Sequence, residues 1–184
     1  MAKVSAKITW RDTGLKAIVA KVARAGRTTV EAGLVGEKAQ EIHPDSRGRL
    51  TVGQVGLINE YGTDDKHVPE RPFMRGTLRR EFGRWVIATR EAATSIVAKR
   101  ANVEEALSKV GAQMVAAIRE TIEREPGVQP GNADPTIDYK GFDHPLLGTT
   151  FALHEAVSFR LVRANGKTIT SELADGEIAE SEEG

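Results

Sequence analysis

Apolar and polar positions along the chain change their period several times, and each change marks an element. Val4, Ala6, Ile8 and Trp10 alternate with Ser5, Lys7 and Thr9, the period-two pattern of a half-buried strand. Asp12 or Thr13 is placed to cap a helix running to about Ala25, in which Leu15, Ile18, Val19 and Val22 form one apolar face. Gly26 stops it. Thr28 to Val35 predicts a second strand, β-branched at its start, with Val30, Ala32 and Leu34 on one side. Residues 37–49 are polar, with turn chemistry at His43-Pro44-Asp45 and Arg47-Gly48. Thr51 then reads as the cap of a short helix, Val52 to Tyr61, striped by Val52, Val55 and Ile58. Its Gly53 and Gly56 fit close packing better than phosphate binding, since no Gly-Lys-Ser/Thr loop accompanies them.

The longest periodic stretch is 73–125. Leu78, Phe82, Trp85, Thr89, Ala92 and Ile96 follow helical spacing. Asn102, with Glu105 three residues later, signals a second helix striped by Val103, Leu107, Val110, Met114, Ile118 and Ile122, which Pro126-Gly127 ends. The break falls near Lys99 to Asn102, and each stripe is expected to pack on the sheet. Residues 126–145, rich in Gly, Pro and Asp, read as one long loop of the functional or disordered kind. Thr149 then caps a short helix to about Ala156, and Val157 to Val162 alternates as a closing strand. The pattern as a whole predicts an α+β fold, a small mixed or antiparallel sheet backed by long helices. Residues 1–163 make one domain and 164–184 a tail.

Composition narrows the function. The chain has no cysteine, which removes disulfides and thiolate metal sites. No apolar run approaches a membrane span and the N-terminus lacks a signal-peptide pattern, so a protein made in a cytoplasm, without a membrane partner, is expected. Net charge is zero but unevenly spread: residues 164–184 hold Lys167 and six acidic residues. That composition reads as a solvated, flexible tail, or else as an acidic arm that docks on a basic neighbour.

Catalytic chemistry finds little support. His43, His67, His144 and His154 are scattered without ligand spacing, and no serine sits in a Gly-x-Ser-x-Gly turn. No catalytic residue, metal or cofactor is therefore assigned, and the chain is not expected to be an enzyme. The segment from Asn59 to Arg75 is more pointed. Pro69 and Pro72 hold the residues between them extended, so a helix can begin only at about Phe73. Such a connector suits an assembly contact, with Glu60, Tyr61, Arg71, Phe73 and Arg75 as interaction residues and Tyr139 and Phe142 as anchors in the long loop. For Glu60 the alternatives are capping, pairing with Arg71, or contacting a neighbouring subunit. The Arg75, Arg79, Arg80 and Arg84 face supplies a second reading, a nucleic-acid-binding module, against the default of a solvated helix face.

The same residues carry a resemblance. Asn59-Glu60-Tyr61-Gly62-Thr63 followed by Val68-Pro69-Glu70-Arg71-Pro72-Phe73-Met74-Arg75 is similar to the signature of tailed-bacteriophage tail-completion and virion-morphogenesis proteins, the minor-tail-protein type. A second block, Asp134-Pro135-Thr136-Ile137-Asp138-Tyr139-Lys140-Gly141 with His144-Pro145-Leu146-Leu147-Gly148-Thr149-Thr150, resembles that family's later motif, in the same order. The likeness covers roughly 28–163. Gly148 and Thr150 depart from the family pattern, and Leu153 comes one residue late. The resemblance implies a tail-terminator-like fold and a structural virion protein that forms a homo-oligomeric ring, a hexamer, at the head-proximal end of the tail. Its partners would be other copies and tail-tube or neck proteins, with DNA passing through without being specifically bound. It would be made in the host bacterial cytoplasm. It also implies a loop at 126–145 that is ordered only in the assembly.

Overall fold

The computed structural model describes residues 14–98, 100–124, 130–148, 150–172 and 178–179. The expected first strand at Val4 to Trp10 and the cap at Asp12 or Thr13 lie outside them.

Helix α1 (Leu15–Ala25) leads into strand β1 (Thr28–Gly33). Two short 3-10 turns follow at 37–40 and 44–46, and then helix α2 (Val52–Tyr61). Two long helices come next, α3 (Phe73–Val97) and α4 (Val103–Glu123). Short helices α5 (Asp134–Lys140) and α6 (Ala152–Glu155) precede strand β2 (Ser158–Arg163), with β3 (Thr168–Glu172) and β4 (Ile178–Ala179) after it. The sheet is antiparallel in the order β1-β2-β3-β4, so the fold is α+β. β1 and β2 pair from Thr28↔Arg163 to Gly33↔Ser158, and an Arg160–Glu31 ion pair of 2.8 Å crosses them.

Helix α4 lies across β1 and β2 and supplies the largest share of the core: Val103, Leu107, Val110, Val115, Ile118 and Ile122 are buried in one cluster with Phe159 and Leu161 of β2. A Cβ on Gly111 would lie 2.4 Å from the Phe159 ring, so this glycine lets helix and strand approach. Gly56 does the same in α2, where a Cβ would meet Leu34 at 2.2 Å. The caps follow the sequence signals. Thr51 and Gln54 complete a reciprocal capping box on α2, and Asn102 accepts from Glu105 N–H at 2.6 Å to start α4.

Four expectations need correction. The apolar face of α1 is not in the core: Leu15, Val19 and Val22 are exposed. The expected stripe of α3 is buried only at its end, at Ala92 and Ile96; Leu78 and Phe82 face outward, and Phe73, Thr77, Glu81 and Ala88 are buried instead. In the first half of α3 the buried row is partly polar, with Thr77 and Glu81, so apolar spacing picks out the outward row instead. The boundary at 163 falls inside a β-hairpin. Asn165-Gly166, with Gly166 at φ +80°, turns the chain so that Thr168–Glu172 pairs with β2. The first part of the expected flexible tail is therefore sheet. Finally, 126–145 is not one loop. Pro135 in the first turn and Gly141 as a left-handed cap (φ +80°) bound helix α5 within it.

Candidate functional site

The Asn59–Arg75 motif folds back upon itself. Helix α3 begins after Pro72, which offers no side-chain cap. Glu60, at the end of α2, takes that role. Its carboxylate accepts from the Met74 N–H at 2.9 Å and the Arg75 N–H at 3.0 Å, satisfying open donors where the helix dipole favours negative charge. The Arg75 side chain closes the arrangement, donating from Nε to Glu60 Oε1 at 2.9 Å and from Nη2 to the Glu60 carbonyl at 2.7 Å. It also pairs with Glu70 at 2.6 Å and lies 4.6 Å over the Tyr61 ring. These carboxylates raise the pKa of Arg75 above that of an ordinary arginine. Gly62, at φ +72°, permits the turn, since a Cβ there would sit 2.9 Å from both Glu70 N and Val68 O.

Arg71 was expected at an interface, or paired with Glu60, and does neither. It is only 6% exposed. Its guanidinium donates to the Pro130 carbonyl at 2.8 Å, the Gly131 carbonyl at 2.9 Å and Asn59 Oδ1 at 3.3 Å. It ties the 130–148 segment to α2. Phe73 is a core residue, 0% exposed. The motif is thus an internal clamp joining α2, α3 and the later segment, and Glu60, at 3% exposed, belongs to it. Of the expected interaction residues, Tyr61, Tyr139 and Phe142 are exposed and Arg75 is half-buried.

The 130–148 segment is ordered on its own domain. Lys140 Nζ donates to the Leu147 carbonyl at 2.9 Å and the His144 carbonyl at 3.3 Å. The buried His144 meets the Glu123 carbonyl at 3.1 Å through Nε2. Tyr139, 71% exposed, and Phe142 point away from these contacts.

Sequence reasoning missed the main exposed feature. A groove of about 680 Å³ opens between α1, β1, α3 and α4, lined by Val22, Leu78, Phe82, Trp85, Leu107 and Met114 among others. Phe82 remains 61% exposed beside it. The apolar face of α1 was legible, but its lack of a covering element was not. The arginines near the groove are largely spoken for: Arg75 by Glu60 and Glu70, and Arg80 and Arg84 by Glu81 at 3.1 Å each. Arg79 Nε reaches only the Arg75 carbonyl, at 3.4 Å.

Burial holds the imidazoles of His43 and His154 below the ordinary histidine value, outweighing the nearby Asp45 and Glu123 carboxylates. The folded state therefore binds fewer protons than the unfolded chain as pH falls through about 6.5. Their contribution to stability is complete above that pH and is lost on acidification towards the folded values. The melting temperature should fall between pH 7 and pH 5.5, and less so in His43→Asn. An identical pH profile for the variant would count against a role for His43.

Among the described residues no group of three His, Asp or Glu is placed to hold a metal, and no helix is long and apolar enough to cross a membrane. Compared with protein-family models, with curated proteins and with solved structures, the chain matches none, so its likeness to phage tail proteins rests on the two sequence blocks alone.

Proposed function

We propose that this chain is a structural, non-catalytic subunit of a tailed-phage or prophage virion. It would assemble as a ring at the head-proximal end of the tail, in a tail-completion, tail-terminator or head–tail joining role. The sequence blocks supply the family reading, and one structural observation supports self-association: apolar side chains stand exposed in two separate places. One is the groove with Leu78 and Phe82 on α3, and the other is the pair of aromatics Tyr139 and Phe142 on and after α5. Exposed apolar patches of this kind mark interaction sites. A ring needs two unlike, mutually complementary faces on each subunit, and a second copy brings aromatic side chains to an apolar groove. The nucleic-acid reading is disfavoured because carboxylates already neutralise Arg75, Arg80 and Arg84, leaving few charges to displace counterions.

Light scattering on the eluting protein tests this. The native chain should form a closed oligomer, and Leu78→Glu with Phe82→Glu should give a folded monomer. Tyr139→Glu with Phe142→Glu should do the same. Mixing the two double variants should restore a 1:1 dimer and no larger species, because each retains one intact face. A native monomer at high concentration, or variants that still form the full oligomer, would refute the proposal.

A further inference from the structure

A second cavity, of about 470 Å³, lies between α2, the Pro69–Arg71 connector and the 130–148 segment. It shares no lining residue with the apolar groove. Two cations face it, Arg71 and Lys140. Among the described residues neither is in contact with a carboxylate: Arg71 bonds two carbonyls and an amide oxygen, and Lys140 bonds two carbonyls. Those bonds leave N–H groups on both side chains unfilled. Cations withdrawn from water without a contacting anion are costly, and burial pulls the pKa of the buried Arg71 and of the half-buried Lys140 below their ordinary values, the charge of Arg71 adding to the effect on Lys140.

The third element is Asn132. Its side-chain Nδ2 is buried against the cavity without a hydrogen-bond partner, although its backbone N–H is satisfied by Asp143 Oδ1 at 2.9 Å. Asp143 thus stands at the Asn132 backbone, but neither it nor Asp45 forms an ion pair with Arg71 or Lys140, and both act on these cations through space. Asp143 acts on Arg71 and Lys140, and Asp45 on Lys140. Asp45 stands beside His43 at the Gly148 end, where a Cβ on Gly148 would be 2.7 Å from Asp45 Oδ2. The Arg71–Asn132 end therefore presents donors in excess of acceptors.

We propose that this end of the cavity is a binding site for a small oxyanion, a phosphate or a carboxylate, held by the Arg71 guanidinium, the Lys140 ammonium and the Asn132 amide. The guanidinium fork matches either oxyanion, and the ammonium adds a point charge. The volume leaves room for an organic group attached to the anion. Because Arg71 and Lys140 also hold the 130–148 segment, a bound anion would lock that segment onto α2. The site stands independently of the virion reading.

The test is thermal unfolding of the full chain at constant ionic strength, with chloride replaced stepwise by inorganic phosphate in one series and by acetate in another. Binding to the folded state alone raises the melting temperature with the logarithm of anion concentration. A saturable rise with phosphate only assigns the site to phosphates, and one with acetate only assigns it to carboxylates. In Lys140→Gln the apparent Kd should weaken by roughly tenfold or more, the loss expected when a charge-assisted bond goes. Should that variant fail to fold, Thr136→Glu serves instead. Thr136 lines the cavity in the first turn of α5, where an acidic residue suits the helix but would repel an anion. No rise beyond chloride in either series, or equal rises in the native protein and the folded variant, would overturn the assignment.

Discussion

Glu60→Ala is expected to lower the unfolding free energy by about 2–4 kcal/mol, the loss of a helix cap added to that of charge-assisted bonds from a half-buried arginine. The native carboxylate serves three donors, the Met74 and Arg75 N–H groups and the Arg75 Nε. Alanine would leave the first turn of α3 uncapped and the partner side of Arg75 half empty. At this chain length the melting temperature should drop by roughly 10 °C. Glu60→Gln keeps an acceptor oxygen and the volume but loses the charge, so its drop should be smaller. A loss under about 1 kcal/mol in the alanine variant would mean that water replaces the carboxylate at the helix end.

Phe73→Ala should be comparably severe. A fully buried aromatic removed from a packed core costs about 3–5 kcal/mol, and Phe73 has no exposed surface. Urea unfolding followed by circular dichroism gives the value directly. An interface residue would behave in the opposite way, with the monomer unaffected and only assembly lost. An unfolding curve that overlays the native one would therefore return Phe73 to an interface role.

These two residues show where the sequence could be read and where it could not. Helices α2 and α4 were legible because cap and stripe agree: Thr51 with Val52, Val55 and Ile58, and Asn102 with the run from Val103 to Ile122. The start of α4 at Val103 followed from the same cap signal, while α3 ends at Val97, slightly before the expected break at Lys99 to Asn102. Asn165-Gly166 is a strong hairpin signal followed by β-branched residues, but the acid-rich composition beyond it outweighed that local chemistry. Helix α5 was hidden in the same way, its Pro135 and Gly141 counted as loop residues rather than as the start and stop of a helix. The clamp was partly legible. Proline spacing located the start of α3, and capping was one of the roles considered for Glu60. Nothing local showed that Glu60 would reach α3 or that Arg71 would turn inward to carbonyls some 60 residues away, because those contacts are made only once α2, α3 and the 130–148 segment meet. The groove was invisible for a related reason. Periodicity finds an apolar face but does not say what covers it.

Helix α3 carries both the buried row with Phe73, Thr77 and Ile96 and the outward row with Leu78 and Phe82. Anything that seats on the outward row leans on the same rigid rod that anchors the core. If, as proposed, the occupant is a second copy, occupancy and folding are linked by mass action, and the unfolding midpoint should climb as the protein is concentrated. On that proposal, dilution alone would loosen the molecule, and a subunit newly released from the ribosome would be its least stable form.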